Sequence, residues 1–274
     1  APFHSKYFLS ESFYLKILPS PMQTCAMCGL FTCRTWHPGH PGVAACSGFD
    51  VLCHGIESYT ALPFSQREAP SSPVHRPAYQ GSNPISDVWA LAALEMVGNS
   101  ILPAVLDSED MDARTNMAMA ATFAGVGFGN AGVHLPHGMS YPVSGLVKNY
   151  RPEGYPEGKA IVPHGMAVIL NAPAVFRYTA SSNPDRHMRA AQLLGANVDK
   201  AGPEDAGDLI AERLIEILKQ IGVPNGLGGV GYTAKDVPAL VEGTLPQHRV
   251  TKLAPRPTGA RELTHLFTES MQLW

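Results

Sequence analysis

The spacing of apolar residues after about residue 42 is that of amphipathic helices, and this feature constrains the fold more than any other. After Pro203 and Glu204, apolar residues recur at i, i+4, i+7, i+8 and i+11, as helical packing requires; they are Ile210, Leu214, Ile217, Leu218 and Ile221. Alternating apolar and polar runs, which are typical of half-buried strands, are scarce. The sequence therefore predicts a mainly α-helical domain with Gly- and Pro-rich connections.

Capping residues and apolar runs predict where individual helices lie. Ser86 is placed as the N-cap of an apolar helix, and Ser108 precedes two acidic residues that favour a helix start. Gly222 stands where a helix commonly ends. The predicted helices cover residues 50–59, 88–97, 108–123, 203–221 and 260–272.

Charge and hydropathy exclude two classes of partner. The chain has 274 residues, a formal net charge of -3 and only 16% charged residues, so no basic face for nucleic acid is expected. The apolar run 88–97 is too short to span a bilayer. We therefore predict neither nucleic-acid binding nor membrane insertion.

The first 41 residues differ in character from the rest. They mix aromatic residues, proline and cysteine without sustained helical or strand periodicity. We interpret residues 1–41 as an irregular leader and residues 42–274 as one helical domain. Cys25, Cys28 and Cys33 imitate part of a zinc knuckle but lack a matching second pair, so unstructured cysteines are the favoured interpretation.

Four residues form a candidate metal-binding set. Asp50 and His54 are four residues apart, which places both side chains on one face of a helix. A Pro-His-Gly-Met segment occurs twice and contributes His137 and His164, each predicted to lie at a turn. One oxygen and three nitrogens suit Fe(II) or Zn(II). The alternative is that these histidines are buried, hydrogen-bonded structural residues, and His134 is either a supporting residue or purely structural.

Residues 127–132 match the pattern G-x-G-x-x-G of dinucleotide-binding proteins, but their context argues against that function. A helical segment precedes them, and no strand–helix–strand unit surrounds them. The glycines are instead expected to allow close helix packing or a tight bend.

Several cations in Pro- or Gly-rich connections could bind a substrate carboxylate. They are Arg76, Lys148, Lys252 and Arg256. For any one of them, an isolated surface charge is the alternative interpretation.

Three segments resemble the iron-containing (group III) alcohol dehydrogenases: residues 48–59 (GFDVLCHGIESY), 129–142 (GNAGVHLPHGMSYP) and 162–165 (VPHG). Residues 76–87 and 249–257 are similar, more narrowly, to the mitochondrial hydroxyacid-oxoacid transhydrogenase branch. The resemblance runs from about residue 43 to the last residue. It implies the helical, metal-binding C-terminal domain of the dehydroquinate synthase-like fold.

The resemblance also implies a chemistry. The family metal, usually Fe(II), would be bound by Asp50, His54, His137 and His164, and hydride would pass to or from NAD. In the transhydrogenase branch, 4-hydroxybutyrate is oxidised to succinate semialdehyde while 2-oxoglutarate is reduced to 2-hydroxyglutarate. These small hydroxy and oxo acids would be the ligands, with Lys148 and Arg256 as candidate substrate-binding residues. Mitochondrial localisation and a homo-oligomer are further expectations.

The sequence departs from the family pattern at two points. Tyr141 stands where many members have a second histidine, so a histidine proton relay is not expected, although the tyrosine hydroxyl could orient substrate. The nucleotide-binding half with its Gly-Gly-Gly-Ser loop has no counterpart in residues 1–41. We therefore expect a truncated or mis-spliced form with impaired cofactor binding. The alternatives are a generic NAD-dependent iron alcohol dehydrogenase and a non-catalytic, metal-binding remnant.

Overall fold

The computed structural model describes residues 40–155 and 157–274, and this part of the chain is helical. Within the described residues, the only β-type pairing is an isolated bridge that joins Pro63 and Ser82. The prediction of a mainly α domain is thus confirmed. The leader is outside the described residues except for its last two positions, and so are Cys25, Cys28 and Cys33.

Eleven α-helices follow one another along the described part of the chain. They are α1 (Pro41–Thr60), α2 (Pro84–Leu106), α3 (Met111–Ala131), α4 (Leu135–Gly145), α5 (His164–Ile169), α6 (Ala172–Ala180), α7 (Pro184–Leu193), α8 (Ala206–Ile221), α9 (Val237–Thr244), α10 (His248–Thr251) and α11 (Ala260–Glu269). Short 3₁₀ turns occupy several of the connections.

Helix α1 packs against α2, α3 and α5. It begins at Pro41, one residue inside the predicted leader and nine residues before the predicted helix start. Glycines on α1 permit the close packing, since a β-carbon on Gly55 would lie 2.9 Å from the Leu94 side chain of α2. The helix that carries Asp50 and His54 is therefore held firmly on several sides.

Helix α2 is longer than its sequence prediction. It extends over 23 residues and begins after Asn83, whose side chain accepts hydrogen bonds from the backbone N–H groups of Ile85 and Ser86. Ser86 is therefore not the N-cap, because Asn83 with Pro84 at the first helical position starts the helix one turn earlier.

The apolar run 88–97, which by itself is too short for a bilayer, is only part of the full-length α2. By length and composition α2 could cross a membrane, with a mean hydropathy of 1.5, and 44% of that window is buried inside the protein. A core helix of a soluble protein passes the same test. Its contacts with α1, α3 and α7 place it in the packed helical core.

The other three helices with predicted bounds, α3, α8 and α11, agree with the sequence pattern except at their ends. Asp110, not Ser108, caps α3, and Pro203 and Glu204 form a 3₁₀ turn before α8. Gly222 ends α8 in the left-handed conformation at φ 80°, as predicted. Helix α11 ends at Glu269, three residues before the predicted end.

Candidate metal centre

The centre is built where α1, α4 and α5 meet. Asp50 and His54 are one turn apart on α1, and their Oδ1 and Nε2 atoms are 3.7 Å apart. The spacing inferred from the sequence is therefore realised on a continuous helix. Both side chains are partly exposed, which leaves the cluster open on one side.

His137 and His164 lie in the first turns of helices and not at isolated turns, as the sequence analysis expected. His137 is the third residue of α4, after Pro136, and His164 is the first residue of α5, after Pro163. Proline fits the first turn of a helix because its missing N–H would have no helical partner there. The two Pro-His-Gly-Met segments are thus helix starts that direct histidines toward α1.

Gly165 allows α5 to approach α1 closely. A β-carbon at this position would lie 1.8 Å from the backbone oxygen of Cys46 and 3.1 Å from the backbone nitrogen of Asp50. Only glycine permits this contact between backbones. The approach places the imidazole of His164 beside the Asp50 carboxylate.

The four side chains converge on Oδ1 of Asp50. The Nε2 atoms of His137, His54 and His164 lie 3.2 Å, 3.7 Å and 3.5 Å from this oxygen. Ligands bound tetrahedrally at about 2.1 Å are separated by roughly 3.4 Å, so these distances match the edges of such a site. Donor atoms of Asp50, His54 and His137 also lie within 4.8 Å of one another, and this tighter group does not include His164. These three donors, with Nε2 of His164 near Asp50, are of the kinds that Fe(II) and Zn(II) bind.

Glu57, one turn beyond His54 on α1, holds His137 from behind. Its Oε1 lies 2.6 Å from Nδ1 of His137, and its Oε2 accepts hydrogen bonds from the backbone N–H groups of His134 and His137. Glu57 is fully buried. Because Nδ1–H of His137 donates a hydrogen bond to this carboxylate, Nε2 is the ring nitrogen that faces the cluster.

The sequence analysis missed Glu57, although a signal was present. Asp50, His54 and Glu57 follow the spacing i, i+4, i+7, which is one continuous helix face. A buried acid on the face that carries two ligand candidates is a typical partner of a metal-binding histidine.

Burial and the charges of neighbouring groups shift the pKa values of the clustered side chains. Burial raises the pKa of Asp50, but the His54, His137 and His164 rings outweigh it and hold that pKa well below its ordinary value. Burial opposes the protonation of His137, whereas Glu57 and Asp50 raise its pKa well above the usual range. Burial lowers the pKa of His54 to about 4. A metal ion that binds here must displace the proton of His137.

Phe128 on α3 positions His54. The two rings are stacked with centroids 4.0 Å apart and an angle of 8° between their planes. Phe128 lies within the G-x-G-x-x-G stretch, which is the last part of α3 and not a phosphate loop. Gly127 packs closely on α2, with a β-carbon 3.3 Å from the backbone of Ala90, and Gly132 ends the helix at φ 89°.

His134 lies apart from the ligand cluster. Its Nε2 is 3.1 Å from Oγ1 of Thr60, and burial lowers its pKa to about 4. Its backbone N–H donates to Glu57. The supporting role that the sequence analysis left open for His134 is therefore exerted through its backbone.

Of the remaining sequence candidates, Tyr141 faces the ring of a proposed ligand, whereas Lys148 and Arg256 contact other residues. Tyr141, on α4, has its ring 6.4 Å from the ring of His164 and accepts a hydrogen bond from Nη2 of Arg249 at 3.4 Å. Lys148 instead pairs with Asp236 at 2.6 Å. Arg256 donates to the backbone oxygen of Tyr178 and stacks on its ring.

Comparison with known proteins identifies the family. Residues 78–271 match the C-terminal domain of the Fe-containing alcohol dehydrogenases, which is more than half of the chain. The chain belongs to the Fe-containing alcohol dehydrogenase family. The match includes His137 and His164, while Asp50 and His54 precede it.

Curated relatives of this family member include hydroxyacid-oxoacid transhydrogenases named as mitochondrial. The relative from Rattus norvegicus is 54% identical over 233 residues, which is 85% of this chain and 50% of the relative. The chain thus spans about half the length of the curated relatives it matches.

Solved structures share the fold of the described residues. The iron-containing alcohol dehydrogenase from Thermococcus thioreducens matches with a TM-score of 0.63 and 27% identity, over 85% of this chain and 51% of that structure. A 1,3-propanediol oxidoreductase matches with a TM-score of 0.69 and 25% identity, over 84% of this chain and 52% of that structure. The expected fold class, the helical C-terminal domain of this family, is therefore confirmed.

Proposed function

We propose that Asp50, His54, His137 and His164 bind one divalent metal ion and that this chain carries the metal-binding half of a hydroxyacid-oxoacid transhydrogenase. The observation that carries the proposal is the convergence of three histidine Nε2 atoms within 3.2 to 3.7 Å of one carboxylate oxygen. Fe(II) is the proposed metal on the family relationship, and Zn(II) suits the same donors.

The protein residues have distinct tasks in this proposal. When bound, a divalent metal acts as a Lewis acid that lowers the pKa of a substrate alcohol or polarises a carbonyl. Glu57 fixes the tautomer and ring orientation of His137, and Phe128 fixes the ring of His54. The open side of the cluster, next to His164, admits the reacting end of a substrate.

The proposed substrates and cofactor follow from the family resemblance, and the proposed location follows from the relatives' names. 4-Hydroxybutyrate would be oxidised to succinate semialdehyde, and 2-oxoglutarate reduced to 2-hydroxyglutarate, with NAD carrying the hydride between them. Hydride leaves the carbinol carbon with two electrons while the hydroxyl proton is released, and the second half-reaction consumes both. We place the protein in mitochondria, where the rat relative's name places that protein.

The test supplies the purified chain with Fe(II), NAD and the two acids under anaerobic conditions. The proposal predicts 2-hydroxyglutarate and succinate semialdehyde in equal amounts, at a rate that keeps rising with NAD concentration because cofactor binding is expected to be impaired. Both products should be lost when His164 is replaced (His164→Ala). The matched control is His265→Ala, because His265 is exposed on α11. Oxidation of simple alcohols without any reduction of 2-oxoglutarate would favour a generic iron alcohol dehydrogenase. Metal binding without turnover would favour a non-catalytic metal-binding protein.

A further inference from the structure

Arg249, on α10, lies on the side of the metal centre where Tyr141 projects from α4. Its Nη2 donates a hydrogen bond to the Tyr141 hydroxyl, and its guanidinium carbon lies 5.4 Å from the centre of the Tyr79 ring. The Tyr141 ring in turn faces the ring of His164 at 6.4 Å. A single tyrosine thus separates this cation from a proposed metal ligand.

The packing of α10 on α4 fixes this arrangement. A β-carbon on Gly138, the residue after His137, would lie 3.0 Å from the Thr251 side chain and 3.4 Å from that of Val250. The helix that carries Arg249 therefore touches the helix that carries His137 one residue from the ligand. Arg249 and the metal centre keep a defined spacing.

Arg249 differs from the other candidate cations in what it contacts. Lys148 forms an ion pair with Asp236, and Nη1 of Arg256 donates a hydrogen bond to the backbone oxygen of Tyr178. Within residues 40–155 and 157–274, no carboxylate forms an ion pair with Arg249, whose side chain is exposed. Its guanidinium keeps donors available for an acid that enters from solvent.

We propose that Arg249 binds the carboxylate of the hydroxy or oxo acid whose hydroxyl or carbonyl end reacts at the metal centre. The inference rests on the proposed function and names the residue that selects acids over simple alcohols and aldehydes. A guanidinium binds a carboxylate through two parallel hydrogen bonds, which adds orientation to charge recognition. Tyr141 and Tyr79 act as positioning residues for the guanidinium.

Tyr141 lies between the metal centre and Arg249. Its ring centroid is 6.4 Å from that of His164, and its hydroxyl is 3.4 Å from Nη2 of Arg249. The carbon chain of the acid would lie along this tyrosine.

The test compares two four-carbon aldehydes that differ only by the carboxylate, succinate semialdehyde and butanal. Their dissociation constants are measured by calorimetry on the full chain loaded with Zn(II), which supports binding without redox chemistry. We expect the wild type to bind succinate semialdehyde at least tenfold more tightly than butanal. Arg249→Gln should abolish this preference and leave butanal affinity and metal content unchanged.

Two further variants separate the contact from a general effect of charge or folding. Arg249→Lys keeps the positive charge but loses the paired N–H donors of the guanidinium, so it should retain part of the preference for succinate semialdehyde over butanal. Arg261→Gln removes an exposed arginine on α11 and should leave the preference unchanged.

Four results would overturn the proposal, and metal content separates the last two. A preference that persists in Arg249→Gln excludes Arg249, and so does a preference abolished by Lys148→Gln or Arg256→Gln but not by Arg249→Gln. A wild type that binds one equivalent of metal without any preference refutes the role of Arg249 but leaves the metal centre standing. A wild type that binds no metal refutes the proposed function and, with it, this inference.

Discussion

Replacing Gly165 by alanine tests whether the backbone contact between α5 and α1 builds the metal centre. The new β-carbon would lie 1.8 Å from the backbone oxygen of Cys46. Ordinary contacts between carbon and oxygen are about 3.3 Å or longer, so the start of α5 must move away by roughly 1.5 Å. His164 is the preceding residue and must move with it.

Two consequences of Gly165→Ala can be measured. Overpacking against a backbone atom should lower the free energy of unfolding by about 3 kcal/mol, at the upper end of the range for such changes. Metal ligands must hold their geometry within about 0.5 Å, so a displaced His164 should weaken metal affinity by roughly 100-fold. Urea unfolding gives the first quantity, and competition with a chromophoric chelator gives the second.

Gly129→Ala is the matched control because no atom lies within 4 Å of a β-carbon at that position of α3. Removing the flexibility of an interior helical glycine should stabilise the protein by about 0.5–1 kcal/mol and leave metal affinity unchanged. If Gly165→Ala behaves like Gly129→Ala in both assays, the proposed role of the contact in placing His164 is wrong.

Three further predictions follow from individual contacts. Glu57→Gln should weaken metal affinity by about 10- to 100-fold, because a neutral amide holds His137 less firmly; unchanged affinity in the chelator assay would contradict this. Burial lowers the pKa of His187 to about 4, so the unfolded chain binds more protons below pH 6.5, and this histidine alone lowers stability by about 2 kcal/mol at pH 5. His187→Gln should reduce the loss of stability between pH 7 and 5 by about this amount, and an unaltered profile would refute the assignment. Asn83→Ala should cost about 1 kcal/mol in urea unfolding through loss of the α2 cap, whereas Asn99→Ala, on the exposed face of α2, should cost less.

The helices could be predicted from the sequence where one local signal dominates. The apolar stripe of α8 and Gly222 at its end locate that helix almost completely, because periodicity and the left-handed C-terminal residue act within one segment. Ser86 and Ser108 were wrong as helix starts because Asn83 and Asp110 provide competing caps close by. A sequence with several capping residues in a row does not reveal which of them the tertiary contacts favour.

All four candidate ligands could be named from the sequence, but only the spacing of Asp50 and His54 predicts how two of them are placed. Asp50 and His54 follow from one helical turn, whereas the meeting of α1, α4 and α5 depends on contacts between residues far apart in the chain. Lys148 and Arg256 were plausible cations by composition, but their contacts with Asp236 and Tyr178 arise only in the folded chain. For the same reason the sequence did not single out Arg249.

The metal content of the anaerobically purified chain tests the central claim most directly. We measure metal per chain in the wild type, His137→Ala, His164→Ala and the exposed-histidine control His265→Ala, with circular dichroism to verify that each is folded. The account predicts about one equivalent in the wild type and the control and a large loss in the other two. A folded wild type that binds no metal, or folded His137→Ala and His164→Ala variants that retain a full equivalent, would contradict it.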